Sequence, residues 1–181
     1  MIAEDLRARG EHMDCIALDM DGTILNDRYE ISPRVAVALR RCRALGKKVV
    51  ISTGRVYSSV LRNTKSLGSV DGYVCSNGAD VYSGDGTPIS QLHMDEDLSR
   101  RIVEISRRFS SHFHAFIGDS WFYETERSYT EFYIRRSGLQ GGKVDFDAYP
   151  SLGFTKCIFL DEHEKLVPVS EALGVTPRPP P

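Results

Sequence analysis

Two aspartates one residue apart stand in the stretch Asp19-Met20-Asp21-Gly22-Thr23, directly after an apolar run, Cys15-Ile16-Ala17-Leu18. A carboxylate can attack phosphorus and form an aspartyl-phosphate. A second carboxylate can protonate the leaving oxygen and later deprotonate water. Residues two apart on an extended strand point to the same side, so Asp19 and Asp21 are expected to enter one pocket together. Two close carboxylates repel unless a cation lies between them. Magnesium, hard and oxygen-seeking, meets that need, which makes both aspartates candidate metal ligands as well as candidate catalytic groups. Gly22 permits a tight turn, and Thr23 can hold it by hydrogen bonding. The plain alternative is an Asp-Gly turn that ends a strand.

A second group lies in Ser52-Thr53-Gly54-Arg55. A hydroxyl beside glycine N–H groups at the start of a helix is a natural phosphate cradle, so Thr53 and Gly54 are candidate phosphate ligands. Thr-Gly before a helix is also ordinary capping. Arg55 and Asn77 are candidate substrate contacts; for Asn77 an Asx turn at a strand end is the equal alternative. His112 and His114 share one strand face, but with no third ligand in view they are expected on an exposed face rather than around a metal. Trp121, Phe122 and Tyr123 read as core residues before pocket residues. Arg100-Arg101 and Arg107-Arg108 recur at helical spacing and read as a solvated face.

The elements that must position these groups follow from periodicity. Cys15–Leu18 is apolar throughout and reads as a strand buried on both faces of a parallel sheet. Ser32-Pro33 opens a helix whose stripe is Val35, Leu39, Cys42 and Leu45, closed by Gly46. Residues 47–52 and 72–76 give two more strands, with a helix marked by Val56, Val60, Thr64 and Leu67 between them. Strand, helix, strand, helix, strand is a right-handed parallel α/β unit. Two short runs around Ser83-Gly84-Asp85-Gly86-Thr87-Pro88 then predict a hairpin. Beyond it come a helix through Leu98, Ile102, Ile105 and Phe109, strands at 113–117, 121–125 and 154–160, a helix over 128–137, and a weaker helical stripe at Leu166, Val169 and Leu173, which Pro168 interrupts or starts.

Composition sets the frame. The chain has 181 residues, a net charge of -2 and 41% hydrophobic residues, the balance of a globular protein without a basic face. Nucleic acid and membrane are therefore not expected partners, and the charged N-terminus is not expected to be a secretory signal. Four cysteines without a C-x-x-C pair read as small buried hydrophobes in a reducing cytosol, which predicts a cytoplasmic protein; a zinc site or a disulfide is the alternative.

The run ALDMDGTIL, followed by VVISTGR and then YVCSNGA with a hairpin, resembles the Cof-type branch of the haloacid dehalogenase superfamily from residue 15 to about 175. The resemblance implies a magnesium-dependent phosphatase of small phosphorylated metabolites, commonly sugar phosphates. It makes Asp19 the nucleophile, Asp21 the acid and base, and Thr53 the phosphate-binding hydroxyl, with magnesium held by the Asp19 carboxylate and the Asp21 main-chain carbonyl. It also implies an α/β fold: the N-terminal half of a Rossmann-like parallel-sheet core over 15–81 and an α+β cap over 82–176. By position and composition, 1–14 reads as a leader and 177–181 as a Pro-rich tail. The family's third motif, a lysine, and its fourth, an acidic pair, are not found. Gly84-Asp85-Gly86 falls in the hairpin, Gly118-Asp119 in the cap region, and Lys156 opens a cap strand. The chain is thus expected to be truncated relative to the family. That raises one alternative, a remnant that binds phosphate or a partner without turnover; mutase relatives with similar caps raise another, phosphoryl transfer between sugar positions. The truncation also predicts an open sheet edge at Cys15–Leu18, through which the chain self-associates.

Overall fold

The computed structural model describes residues 13–175 and contains two compact units, parted between Gln91 and Leu92. The expected leader, except for residues 13 and 14, and the Pro-rich tail lie outside the described residues.

The first unit is built on a five-stranded sheet in the order β1-β2-β3-β4-β5. Strands β1 (Cys15–Leu18), β2 (Lys48–Ser52) and β3 (Gly72–Cys75) run parallel. Strands β4 (Asp80–Ser83) and β5 (Pro88–Gln91) continue the sheet antiparallel. The hairpin forms as expected, but β4 pairs with β3, so the first unit ends after the hairpin and not before it. Two helices make the crossovers, α1 (Pro33–Ala44) and α2 (Tyr57–Thr64). Ser32 caps α1 by accepting from the Val35 N–H at 3.3 Å, with Pro33 in the first turn. Val35 and Leu39 face the core, whereas Leu45 lies past the last helical residue and is 77% exposed.

All of this packing is on one side of the sheet. Val49, Ile51, Tyr73, Cys75 and Tyr82 join Ala36 from α1, Val60 from α2, Leu67 and the turn residues Met20 and Ile24 in one core. Tyr57 stacks on Tyr82 with ring centroids 4.1 Å apart. The alternate strand positions belong to the other side, and β1 alternates between exposed and half-buried residues. The strand expected to be buried on both faces is therefore the edge of the sheet and buried on one. Cys15, expected inside, is exposed, while Cys75 is buried and Cys42 and Cys157 are half-buried.

The second unit carries a four-stranded sheet in the order β8-β7-β6-β9, from β6 (His112–Ile117), β7 (Ser120–Tyr123), β8 (Gly142–Lys143) and β9 (Lys156–Leu160). Helices α3 (Glu96–Phe109) and α5 (His163–Leu173) cover one face, where Ile102, Val103 and Leu173 pack with Phe113, Ala115, Phe146 and Phe154. Asp95 caps α3 by accepting from the Leu98 N–H at 2.7 Å, and α5 runs through Pro168. Helix α4 (Ser128–Ser137) lies over the other face, where Tyr129 and Tyr133 meet His112 and His114. Trp121 and Tyr123 are buried, as expected for core residues. Arg107 is half-exposed and bridges Glu124 and Asp147 instead of standing free in solvent. Among the described residues no helix is long and apolar enough to cross a membrane.

Candidate active site

The three parallel strands end at one edge of the sheet, the side on which open α/β sheets bind ligands. Strand pairing of β1 stops at Leu18. Asp19 remains extended at φ -74°, ψ 160° and begins a kinked turn over Met20–Ile24. Its Oδ1 accepts from the Met20 N–H at 2.7 Å. The Leu25 N–H closes the turn on the Met20 carbonyl at 3.0 Å, and buried Met20 and Ile24 anchor it in the core. Gly22 has φ +71°, where a side chain would strain the turn.

Asp21 does not follow Asp19. It sits inside the turn at φ -72°, ψ 122°, so the alternation that would aim both carboxylates alike has already ended. Its side chain is gripped by Arg55, with Nε on Oδ2 and Nη2 on Oδ1, each at 2.8 Å. Arg55 is only 11% exposed at its side chain, also donates to Ser59 Oγ at 3.3 Å and lies over the Tyr29 ring at 5.6 Å. A bidentate pair of this kind fixes both geometry and charge.

Thr53 is buried just past β2, and its Oγ1 accepts from the Arg55 N–H at 3.3 Å. It is not at a helix start: α2 begins at Tyr57, and its N-cap, Val56, makes no side-chain cap. The cradle is a loop rather than a helix terminus. A second loop interlocks with it. The Thr53 N–H donates to the Val74 carbonyl at 2.9 Å, the Ser76 N–H to the Arg55 carbonyl at 2.9 Å, and the Asn77 N–H to the Thr53 carbonyl at 3.2 Å. Ser76 and Asn77 hold left-handed φ of 53° and 59°, sparsely populated backbone that these cross-links keep in place. A Cβ on Gly54 would come within 2.7 Å of Asn77 Oδ1, so Gly54 is what lets that amide approach.

Asp19, Ser52, Thr53, Gly54, Val74, Asn77 and Gly78 together line an open cavity of roughly 370 Å³. The structure thus brings Asp19, Thr53, Gly54 and Asn77 into one pocket and leaves Asp21 and Arg55 off its lining, paired with each other. Among the described residues no three His, Cys, Asp or Glu side chains gather as a metal-ligand group. At the start of β4, Asp80 is 2% exposed, and its Oδ1 has no hydrogen-bond partner, as is also true of Ser76 Oγ. The sequence carries a signal for Asp80: it takes the inward register of β4 together with Tyr82.

In the second unit the histidine pair is buried and not exposed. His112 and His114 are 1% and 0% exposed, with His114 Nδ1 3.4 Å from His112 Nε2. Helix α4 supplies the cover that a strand-only reading omits. Burial, with neighbouring His112 and Lys156, pushes His114 down to about 3; burial and Arg127 lower His112.

The haloacid dehalogenase-like hydrolase profile matches residues 16–175. YxeH of Bacillus subtilis (strain 168) is 31% identical over 160 residues, covering 83% of this chain and 58% of YxeH. The HMP-PP phosphatase of Yersinia pestis (strain Pestoides F) is 27% identical over 160 residues, covering 87% of this chain and 58% of its own length. Among solved structures, TM0651 from Thermotoga maritima superposes with a TM-score of 0.76 at 25% identity, over 90% of this chain and 61% of that one. A haloacid dehalogenase-like hydrolase from Bacteroides thetaiotaomicron superposes at 0.78 with 20% identity, over 89% and 63%. The chain belongs to the haloacid dehalogenase-like hydrolases. Within them it is a member of the Cof-type branch. It spans less than two thirds of the length of these relatives.

Proposed function

We propose that the chain carries the phosphohydrolase chemistry of its family, on small phosphate esters such as sugar phosphates, through an aspartyl-phosphate on Asp19. The observation that supports this most is the position of the Asp19 carboxylate beside Thr53, Gly54 and Asn77, in a cavity at the C-terminal ends of three parallel strands. An Asp19 oxygen attacks phosphorus as the ester P–O bond breaks, and Asp21 gives its proton to the leaving oxygen. Water then attacks the phosphoryl group, Asp21 takes its proton, and phosphate leaves Asp19 free. Both Asp21 oxygens accept from Arg55, so Asp21 must part from the guanidinium to reach either proton.

A carboxylate and a main-chain carbonyl, those of Asp19 and Asp21, are a donor set that suits magnesium, which keeps most of its water on protein sites. When bound, magnesium offsets the charge of the phosphoryl oxygens. A second reading, phosphate binding without turnover, draws on the same cavity: its lining holds one carboxylate and no cationic side chain. Hydrolysis of an aryl phosphate with magnesium, wild type against Asp19→Asn, tests the proposal. Turnover that is abolished in the variant supports it. Turnover unchanged in the variant removes Asp19 from the role, and phosphate binding with no turnover in either protein favours the second reading.

A further inference from the structure

The second unit has a cavity of its own, of about 240 Å³. It lies where β6 begins and β7 has ended, with Ser111 on one side and Glu124, Thr125 and Arg127 on the other. This is the end of the sheet opposite the pairing of Phe116 with Lys156. Arg107 of α3 also lines it, but that guanidinium is shared between Glu124 and Asp147, at 2.6 and 3.0 Å. Both oxygens of Glu124 in turn accept from protein donors: Oε1 from Arg107 Nη2 at 2.6 Å and the Phe146 N–H at 3.1 Å, Oε2 from Arg107 Nε at 3.0 Å. The one carboxylate of the lining is thus already engaged, and a ligand that comes as a donor finds little to bind.

The uncommitted groups are donors. Ser111 is 6% exposed, and its Oγ is buried with no hydrogen-bond partner, a costly arrangement unless a bound group pairs with it. Thr125 and Arg127 are exposed. Asp161 acts on Arg127 through space, while its own carboxylate accepts from Lys165 at 3.2 Å and from the Glu162 N–H at 2.9 Å. Two helix ends meet the cavity with opposite partial charges: α3 ends at Phe109, and α4 begins after Arg127, whose side chain makes no cap bond. Their effects on a charged ligand oppose each other, so the guanidinium of Arg127 decides the sign. We infer that this cavity binds a small oxyanion, a phosphate group or a carboxylate, with Arg127 facing its charge and Ser111 Oγ donating to one of its oxygens. The volume suits a small metabolite and not a chain segment. The site is built from the second unit alone and does not depend on the role proposed for Asp19.

The test is an NMR titration of the isotope-labelled full chain with inorganic phosphate and, separately, with malonate. The amide resonances of Ser111, Thr125 and Arg127 should shift saturably with one anion or both, and the anion that binds tells phosphate from carboxylate. The same shifts should persist in Thr53→Ala, which weakens phosphate at the first unit's cavity. Arg127→Gln and Ser111→Ala should each weaken the binding about tenfold or more. Ser111→Ala removes a hydroxyl that nothing in the fold pairs with, so without anion its denaturant midpoint should be no lower than that of the wild type. No saturable shift at these amides with either anion, shifts that vanish in Thr53→Ala, or equal affinity in the two second-unit variants overturns the inference. So does a lowered midpoint for anion-free Ser111→Ala, which would mean that the hydroxyl serves the fold and not a ligand.

Discussion

Lowering the pH should loosen the second unit by way of its two buried histidines. In the fold His114 is held neutral down to about 3 by burial, with His112 and Lys156 acting in the same direction. An unfolded histidine takes its proton near pH 6.5. Between those values the unfolded chain binds more protons than the native one, so stability is full above about pH 6.5 and falls as the pH drops below it. From 6.5 to 5.0 is 1.5 units, which at about 1.4 kcal/mol per unit costs roughly 2 kcal/mol for His114 alone. His112 adds in the same sense, since burial and Arg127 lower it while Asp161 opposes. The groups around the pair are Tyr129 and Tyr133 on α4, Trp121 on β7, Arg127, and Lys156 and Asp161 at the ends of β9. Trp121 is the only tryptophan, and its ring centroid lies 4.9 Å from that of His114. Its fluorescence during denaturant unfolding therefore reports this unit at pH 7.5 and 5.0. His114→Phe keeps an aromatic ring against Tyr133 and removes the proton site, so it should lose about 2 kcal/mol less than wild type over that interval. Equal losses in the two proteins would refute the reasoning and move the acid sensitivity elsewhere.

Thr53→Ala should weaken inorganic phosphate binding by about 1–3 kcal/mol, or about 5- to 150-fold, with little loss of stability; equal affinity by calorimetry would make Thr53 a loop residue only. Gly54→Ala should leave stability within about 1 kcal/mol, because the clashing atom is the mobile end of exposed Asn77, yet weaken phosphate binding by displacing that amide; unfolding and phosphate titrations separate the two effects. Arg55→Lys should cost about 1–3 kcal/mol of stability through loss of the paired grip on Asp21, read from the denaturant midpoint. The isolated chain should sediment as more than a monomer, associating through its open β1 edge, and a concentration-independent monomer would contradict this.

What the sequence made legible is what local rules govern. Ser32-Pro33 started α1, and the segment 128–137 is helical at the expected bounds. Three apolar runs became three parallel strands, and their ends placed Asp19, Thr53 and Asn77 together, because strand ends are fixed by backbone pairing. What was missed depends on partners distant in the chain. The burial of Cys15 assumed helices on both faces, and among the described residues only one face has them. The exposure of the His112–His114 face assumed nothing would cover it, and α4, whose alternating stripe is weak, does so. Asp21 was aimed by strand alternation that ends two residues earlier.

The two aspartates are therefore positioned by different forces, and this bears on how the site works. Asp19 is set by the backbone: a strand end, an N–H from Met20 and a turn anchored by buried Met20 and Ile24. Such a position is set before substrate arrives, which suits the nucleophile's role proposed for Asp19. Asp21 is held through its side chain by the bidentate pair with Arg55, and its carboxylate is 36% exposed and so within reach of solvent. An acid that must give up a proton and later take one back needs to leave its partner and return, so a rigid backbone hold would serve it badly. Tyr29, left-handed at φ 58°, lies against the guanidinium and Ser59 accepts from it, so Arg55 has contacts besides Asp21. In the mechanism proposed above, the group fixed by the backbone is the one that attacks, and the group held by the ion pair is the one that carries the proton.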